Sequence, residues 1–191
     1  MERSIIADPD LTPTDRAALL ALARQAIAAA LAGCPAPQLP AVPGAALHRG
    51  AFVTIEERET HELRGCIGHV RGDRPLGEVI RDVAVSAALS DPRFPPVQRE
   101  ELGTLQIEIS VLNAPMVVNT ADLSCMVIGR DGVLVRRGQA QAVLLPQVAT
   151  EQRFTPETFL NAVCHKAGLQ AGSWREPATQ VFTFTADVFV E

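Results

Sequence analysis

Tyrosine is absent from the chain, tryptophan occurs once and phenylalanine seven times, so aromatic side chains make up only 4% of the 191 residues. That scarcity removes most of the raw material for base-stacking platforms and aromatic carbohydrate clefts, and leaves the core to Val, Leu, Ile and Ala. Lysine is scarce as well. Lys166 is the single lysine among 17 cationic residues, so positive charge is carried by planar guanidinium groups, which suit bidentate contacts with carboxylate or phosphate. Against 22 acidic residues these cations leave a net charge of -5 and a pI near 5.4, which opposes broad counterion-release binding to nucleic acid or to anionic lipid. The four cysteines, Cys34, Cys66, Cys125 and Cys164, are widely spaced and form no C-x-x-C pair. Neither a zinc ribbon nor a disulfide framework is indicated, and reduced thiols in the cytoplasm are expected, with no metal and no cofactor. A signal-peptide pattern is missing from the N-terminus. The most apolar stretch, Ala17 to Leu31, is broken by Arg24 and Gln25 and is too short to cross a membrane, so no membrane partner is expected. Nucleotide-binding glycine patterns and the G-x-S-x-G elbow are also lacking; Gly129-Arg130-Asp131-Gly132 has too few glycines at the wrong spacing.

What is present is an ordinary globular balance, 47% hydrophobic and 20% charged, in a length that suits one compact unit or two small lobes. Thr12, Pro13 and Asp15 carry the cap, first-turn and dipole signals of a helix that runs to about Leu31 and is stopped by Gly33. Four prolines follow between Cys34 and Pro43. Ala51 to Ile55 and Glu62 to Val70 predict a hairpin, and Leu76, Val79, Ile80, Val83, Ala84 and Ala87 form one helical stripe ending before Asp91-Pro92. Leu105, Ile107, Ile109 and Val111 alternate with Gln106, Glu108 and Ser110, the period of a strand buried on one face. Met126 to Ile128, Val133 to Arg137, Ala140 to Leu145 and Val181 to Val190 are further expected strands, with a third helix opened by Thr155-Pro156 and closed by Gly168. The sum predicts α+β rather than a parallel nucleotide-binding fold.

The densest motif is Leu63-Arg64-Gly65-Cys66-Ile67-Gly68. In a strand Arg64 and Cys66 share one face, about 7 Å apart along the chain. A guanidinium there would favour the Cys66 thiolate and could hold an anionic group, while Gly65 and Gly68 would admit a ligand or a second backbone at close range. A small packing cysteine beside bulge glycines is the plainer reading. Cys66 and His69 are three residues apart, hence on opposite strand faces, which argues against a metal held by both. Glu108 and Ser110 lie on the non-core face of their strand, either as a solvated surface or as the polar wall of a cleft. His165 falls on the solvent side of its helix, whereas Cys164 lies on the flank of the apolar stripe.

Six collinear segments carry a resemblance: the Leu63–Gly68 motif, residues 87–97 (Ala-Ala-Leu-Ser-Asp-Pro-Arg-Phe-Pro-Pro-Val), Ile107-Glu108-Ile109-Ser110-Val111-Leu112, Gly129-Arg130-Asp131-Gly132, Leu144-Leu145-Pro146-Gln147-Val148 and Lys166-Ala167-Gly168-Leu169. Together they resemble the AMME chromosomal-region candidate family, whose bacterial and archaeal members are called AmmeMemoRadiSam system protein A. The resemblance implies an α+β protein of two unequal lobes with mostly antiparallel sheets, about three helices and a cleft between the lobes. A smaller lobe is expected at about residues 59–115, inserted in a larger one. It also implies genetic association with a Memo-type protein, similar in fold to metal-dependent extradiol dioxygenases, and with a radical-SAM iron–sulfur enzyme. Arg64, Gly65, Cys66 and Gly68 match the family signature, and Arg93, Glu108, Pro146 and Gln147 match further positions. His165 stands where His is unusual and Gln152-Arg153-Phe154 where Gly and Trp are frequent, while Trp174 keeps its place. The expectation is an enzyme or enzyme component that binds a small anionic substrate through Arg64, Gly65, Gly68 and Arg93. Cys66 would be nucleophile or redox thiol and Glu108 the acid–base group. The alternative is a non-catalytic module docking onto the Memo-type or radical-SAM partner.

Overall fold

A computed structural model describes residues 10–191. Thr12 and Asp15 form the expected capping box: the Asp15 N–H donates to Thr12 Oγ1 at 3.2 Å and the Thr12 N–H to Asp15 Oδ2 at 3.0 Å, which starts α1 (Pro13–Leu31). Asp15 also accepts the Gly44 N–H at 2.7 Å, tying the proline-rich return of the chain to the helix start. Then come β1 (Ala51–Glu57), β2 (Leu63–His69), α2 (Leu76–Leu89) and β3 (Leu105–Leu112). The chain continues through β4 (Met116–Val117), β5 (Gly132–Arg137), β6 (Ala140–Leu144), α3 (Pro146–Glu151), α4 (Pro156–Lys166), β7 (Gln180–Phe184) and β8 (Ala186–Val190).

The described residues form two compact units. The first runs through Val111 and takes back Asp187–Glu191; the second is Leu112–Ala186. In the first, β2, β1, β3 and β8 lie side by side in that order, with antiparallel β1–β2 and β1–β3 pairs. The apolar alternation of β1 and β3 buries Val53, Ile55, Ile107 and Ile109 in one core with Leu19, Ala23 and Ile27 of α1 and Val79, Ile80 and Ala84 of α2. In the second, β4, β7, β5 and β6 form a sheet, and Val133, Val135 and Val181 pack in one core with Phe159, Leu160 and Val163 of α4 and with Trp174. A Thr155–Thr158 capping box opens α4.

Several expectations need correction. Met126 to Ile128 is no strand but part of a turn-rich segment, in which Asp131 and Arg130 supply the hydrogen bonds that a neighbouring strand would otherwise give: Val127 N–H to Asp131 Oδ2 at 2.8 Å and Arg130 Nη2 to the Cys125 carbonyl at 3.3 Å. The expected strand from Val181 to Val190 is two strands in different sheets, interrupted at Thr185, whose carbonyl and hydroxyl are taken by Asn113. The described residues hold four α-helices, because Pro146 opens the short α3. The inserted unit is 112–186 rather than a lobe at about 59–115, since the β1–β2 hairpin pairs with β3 and belongs to the first unit's sheet. No helix among the described residues is long and apolar enough to cross a membrane.

Candidate functional site

Alternation divides β2 cleanly. Gly65 faces α2 so closely that a Cβ there would lie 2.2 Å from the Ala87 carbonyl oxygen, and Ile67 packs on the same core. Arg64, Cys66 and Gly68 take the opposite face. Gly68 lies under the Phe52 ring, where a Cβ would come within 2.2 Å of Cδ1. Both glycines are therefore accounted for by protein neighbours, a helix backbone for one and a ring for the other.

The polar face of the first sheet brings three sequence-distant groups into one row. Cys66 pairs with Thr54 across β1–β2, and Thr54 with Glu108 across β1–β3. Thr54 Oγ1 donates to Cys66 Sγ at 3.4 Å. Cross-strand neighbours stand about 4.5–5.5 Å apart at Cβ, so the hydroxyl sits between thiol and carboxyl. In the next row Gly68 pairs with Phe52 and Phe52 with Ser110, whose hydroxyl is buried and has no hydrogen-bond partner.

Strand β2 is an edge strand, and the Cys66 backbone points outward. Its N–H donates to Asp91 Oδ2 at 2.8 Å, and its carbonyl accepts from Arg93 Nη2 at 3.3 Å. Asp91 and Arg93 are joined to each other by Nε–Oδ1 and Nη2–Oδ2 contacts of 3.0 and 2.6 Å. One carboxylate and one guanidinium thus take the place of a neighbouring strand's amide and carbonyl and cap the edge at the motif cysteine. Asp91 is 4% exposed. The Arg93 guanidinium beside it holds its carboxyl well below the usual carboxylate range, against the opposing effect of burial.

Arg64 does not play the part expected of it. Its guanidinium meets Glu101 through Nε–Oε1 and Nη2–Oε2 contacts of 2.9 and 3.3 Å, and its Nη1 donates to the Pro95 carbonyl at 2.8 Å. Arg64 holds the Glu101 carboxyl below its ordinary range and ties β2 to the proline-rich loop. The cation acting on Cys66 is Arg93. Even so, the Cys66 thiol is pushed up: burial dominates, Asp91 and Glu108 add to it, and the Thr54 hydrogen bond and Arg93 work against it. Glu108 is pushed up as well, by burial first and then by Glu56. With Arg64 and Arg93 paired, the carboxylates left on this face are Glu108 and Glu56; exposed His61 stands 3.9 Å from Glu56.

His69 Nε2 is bonded to Asp73 at 2.7 Å and lies on the other strand face from Cys66. His165 is exposed and Cys164 fully buried. Among the described residues no three His, Cys, Asp or Glu side chains converge as a metal site would require. A hollow of about 740 Å³ in the second unit is lined by Thr120, Leu123, Glu157, Trp174 and Arg175, and it contains none of the sheet-face groups. Sequence reasoning missed Thr54, Asp91 and Glu101. Thr54 carried only the polar half of a strand alternation, and Asp91 was read merely as the end of a helix.

Comparison with known proteins agrees with this architecture. The AMMECR1 family profile matches residues 20–189. A protein from Methanothermobacter thermautotrophicus is 45% identical over 147 residues, covering 75% of this chain and 76% of its own length. One from Thermofilum pendens is 39% identical over 195 residues, covering 95% and 92%. The crystal structure of the uncharacterized protein PH0010 from Pyrococcus horikoshii superposes with a TM-score of 0.84 at 37% identity, covering 91% of this chain and 89% of that one. An α+β fold of two antiparallel four-stranded sheets, with the Leu63–Gly68 motif on an edge strand, is the architecture of a member of the AMMECR1 family, and to that family this chain belongs.

Proposed function

We propose that the protein is an enzyme or enzyme component whose working surface is the polar face of the first unit's sheet, with Cys66, Thr54 and Glu108 as the groups that meet a small ligand. The observation that carries the reading is the Cys66–Thr54–Glu108 row: a thiol and a carboxyl, both biased towards their neutral forms, on either side of a hydroxyl. A thiol held up by burial binds and donates at rest rather than attacking. To act as a nucleophile it must give up its proton, and the raised Glu108 is the acid–base group at hand, one hydroxyl away. Gly65, Gly68 and Arg64 support the strand; Arg93 fixes the Cys66 peptide. A small anionic substrate would need Arg64 or Arg93 to exchange the carboxylate it now holds. Four unpaired cysteines suit a reducing, cytoplasmic setting.

The second reading, an accessory module docking onto a Memo-type or radical-SAM partner, is favoured by the same spent cations and raised thiol, which leave no activated nucleophile in the resting state. One experiment separates the two. Protein purified from its native host is denatured and its released small molecules are compared with those from Cys66→Ser and Glu108→Gln, while the same preparations are tested for binding to the purified Memo-type and radical-SAM proteins. A molecule lost from both variants supports the ligand site. Partner binding that is indifferent to both substitutions, with no released molecule, supports docking and overturns the ligand reading.

A further inference from the structure

On the assumption that the polar sheet face is a ligand site, we propose that the group it recognises is a protonated amine, seated between the Glu108 carboxylate and the Phe52 ring. The two guanidinium groups expected to attract an anion are already used: Arg64 is bidentate on Glu101, and Arg93 is bidentate on Asp91 and bonded to the Cys66 carbonyl. What remains on the face is an acceptor set. Glu108 stands one strand from Thr54, whose hydroxyl leads on to the Cys66 sulfur, and Glu56 adds a second carboxylate on β1.

Two further observations point to a donor-rich, positively charged guest. Ser110 Oγ shares this face with Glu108, two residues along β3; the residue is 1% exposed, and the oxygen has no hydrogen-bond partner. A buried hydroxyl in that state has the capacity to accept a bond that the protein does not supply. Phe52, opposite Ser110, lays its ring over Gly68, and the absence of a Cβ at Gly68 is what lets the ring lie there. Phe52 is the diagonal neighbour of Glu108 across the β1–β3 pair, within reach of one extended guest, and an aromatic ring attracts a cation through its quadrupole in addition to the charge of the carboxylate. A primary ammonium has three donors and no acceptor, which matches Glu108, Ser110 and Thr54. Burial and the neighbouring Glu56 both disfavour the Glu108 anion, and the positive charge of a bound ammonium would offset both effects.

The test uses the full chain and three probes of equal length: butylammonium, 1-butanol and butyrate. Each is titrated at neutral pH while the backbone amide resonances of Thr54, Cys66, Glu108 and Ser110 are followed. Butylammonium should move these four resonances saturably and butanol should not. Glu108→Gln, which keeps shape and removes charge, should weaken butylammonium roughly tenfold or more, as loss of a charge-assisted hydrogen bond does. Phe52→Leu should weaken it by a smaller factor, and both variants should keep the wild-type far-ultraviolet circular dichroism. Butyrate binding in place of butylammonium overturns the amine inference and leaves the site reading standing. No response to any probe overturns both. Butylammonium binding that is unchanged in Glu108→Gln also overturns the inference.

Discussion

Replacing Asp91 by Asn tests whether the carboxylate–guanidinium clamp holds the edge of the first sheet. The Asp91 carboxylate accepts four hydrogen bonds, from the Cys66 N–H at 2.8 Å, the Arg93 N–H at 3.1 Å, and Arg93 Nε and Nη2 at 3.0 and 2.6 Å. Asparagine keeps the shape but turns one oxygen into a donor facing donors. Breaking a fully buried ion pair costs about 3–5 kcal/mol. The Arg93 side chain is 53% exposed and can be rehydrated in place, which lowers that figure. Hydrogen bonds to a charged group are worth about 1.5–3 kcal/mol each, so a net loss of about 2–3 kcal/mol is expected for Asp91→Asn. Such a loss lowers the melting temperature by about 4–12 °C. Because Arg93 depresses the native carboxyl, its contribution is complete above the unfolded value near 3.9 and disappears as pH falls through the native one. The difference between wild type and variant should therefore be constant from pH 7 to about 5 and shrink in acid. Calorimetry across that range gives the numbers, and amide exchange at Cys66 localises the effect. Stability within about 0.5 kcal/mol of wild type at pH 7, the scatter of ordinary surface substitutions, refutes the clamp. So does a difference that widens on acidification.

Alkylation at neutral pH should label exposed Cys34 and Cys125 before half-buried Cys66, and Cys164 last; the pH–rate midpoint of Cys66 should lie above the ordinary thiol range and be indifferent to Arg64→Lys. Gly65→Ala drives a methyl into the Ala87 carbonyl and should cost about 1–3 kcal/mol in chemical denaturation, as overpacking does. Gly68→Ala meets the Phe52 ring, which can swing away, so its smaller loss should be recovered in the Gly68→Ala, Phe52→Leu double variant. Asn161→Ala strips the acceptor shared by Trp174 Nε1 and the Gly172 N–H, and a loss of about 1–3 kcal/mol for each unsatisfied donor should appear as quenched or shifted Trp174 fluorescence at lower denaturant.

The parts of this fold that were legible in sequence are those set by local pattern. The α1 cap, the α2 stripe and the alternation of β3 each need only neighbours within a few residues, and they emerged with nearly the expected bounds. Where the sequence misled, a distant partner decided. Residues 181–190 alternate convincingly enough for one strand, yet Thr185 is held by Asn113 and the halves join different sheets. At Cys66 the period-two rule correctly put Arg64 and the thiol on one face, and the error came from assigning their interaction by proximity along the strand. A guanidinium goes to the best acceptor within reach, and for Arg64 that is Glu101, 37 residues on, rather than a thiol two residues away. The place beside Cys66 is filled from the backbone side by Asp91, which in sequence marks only the end of a helix, and by Arg93, which the sequence offers as an anion-binding group and which is paired with Asp91 instead. An edge strand carrying two glycines needs something to satisfy its outward amides. The 91–97 loop supplies it at Cys66 from the backbone side, which leaves the sulfur on the face it shares with Thr54 and Glu108.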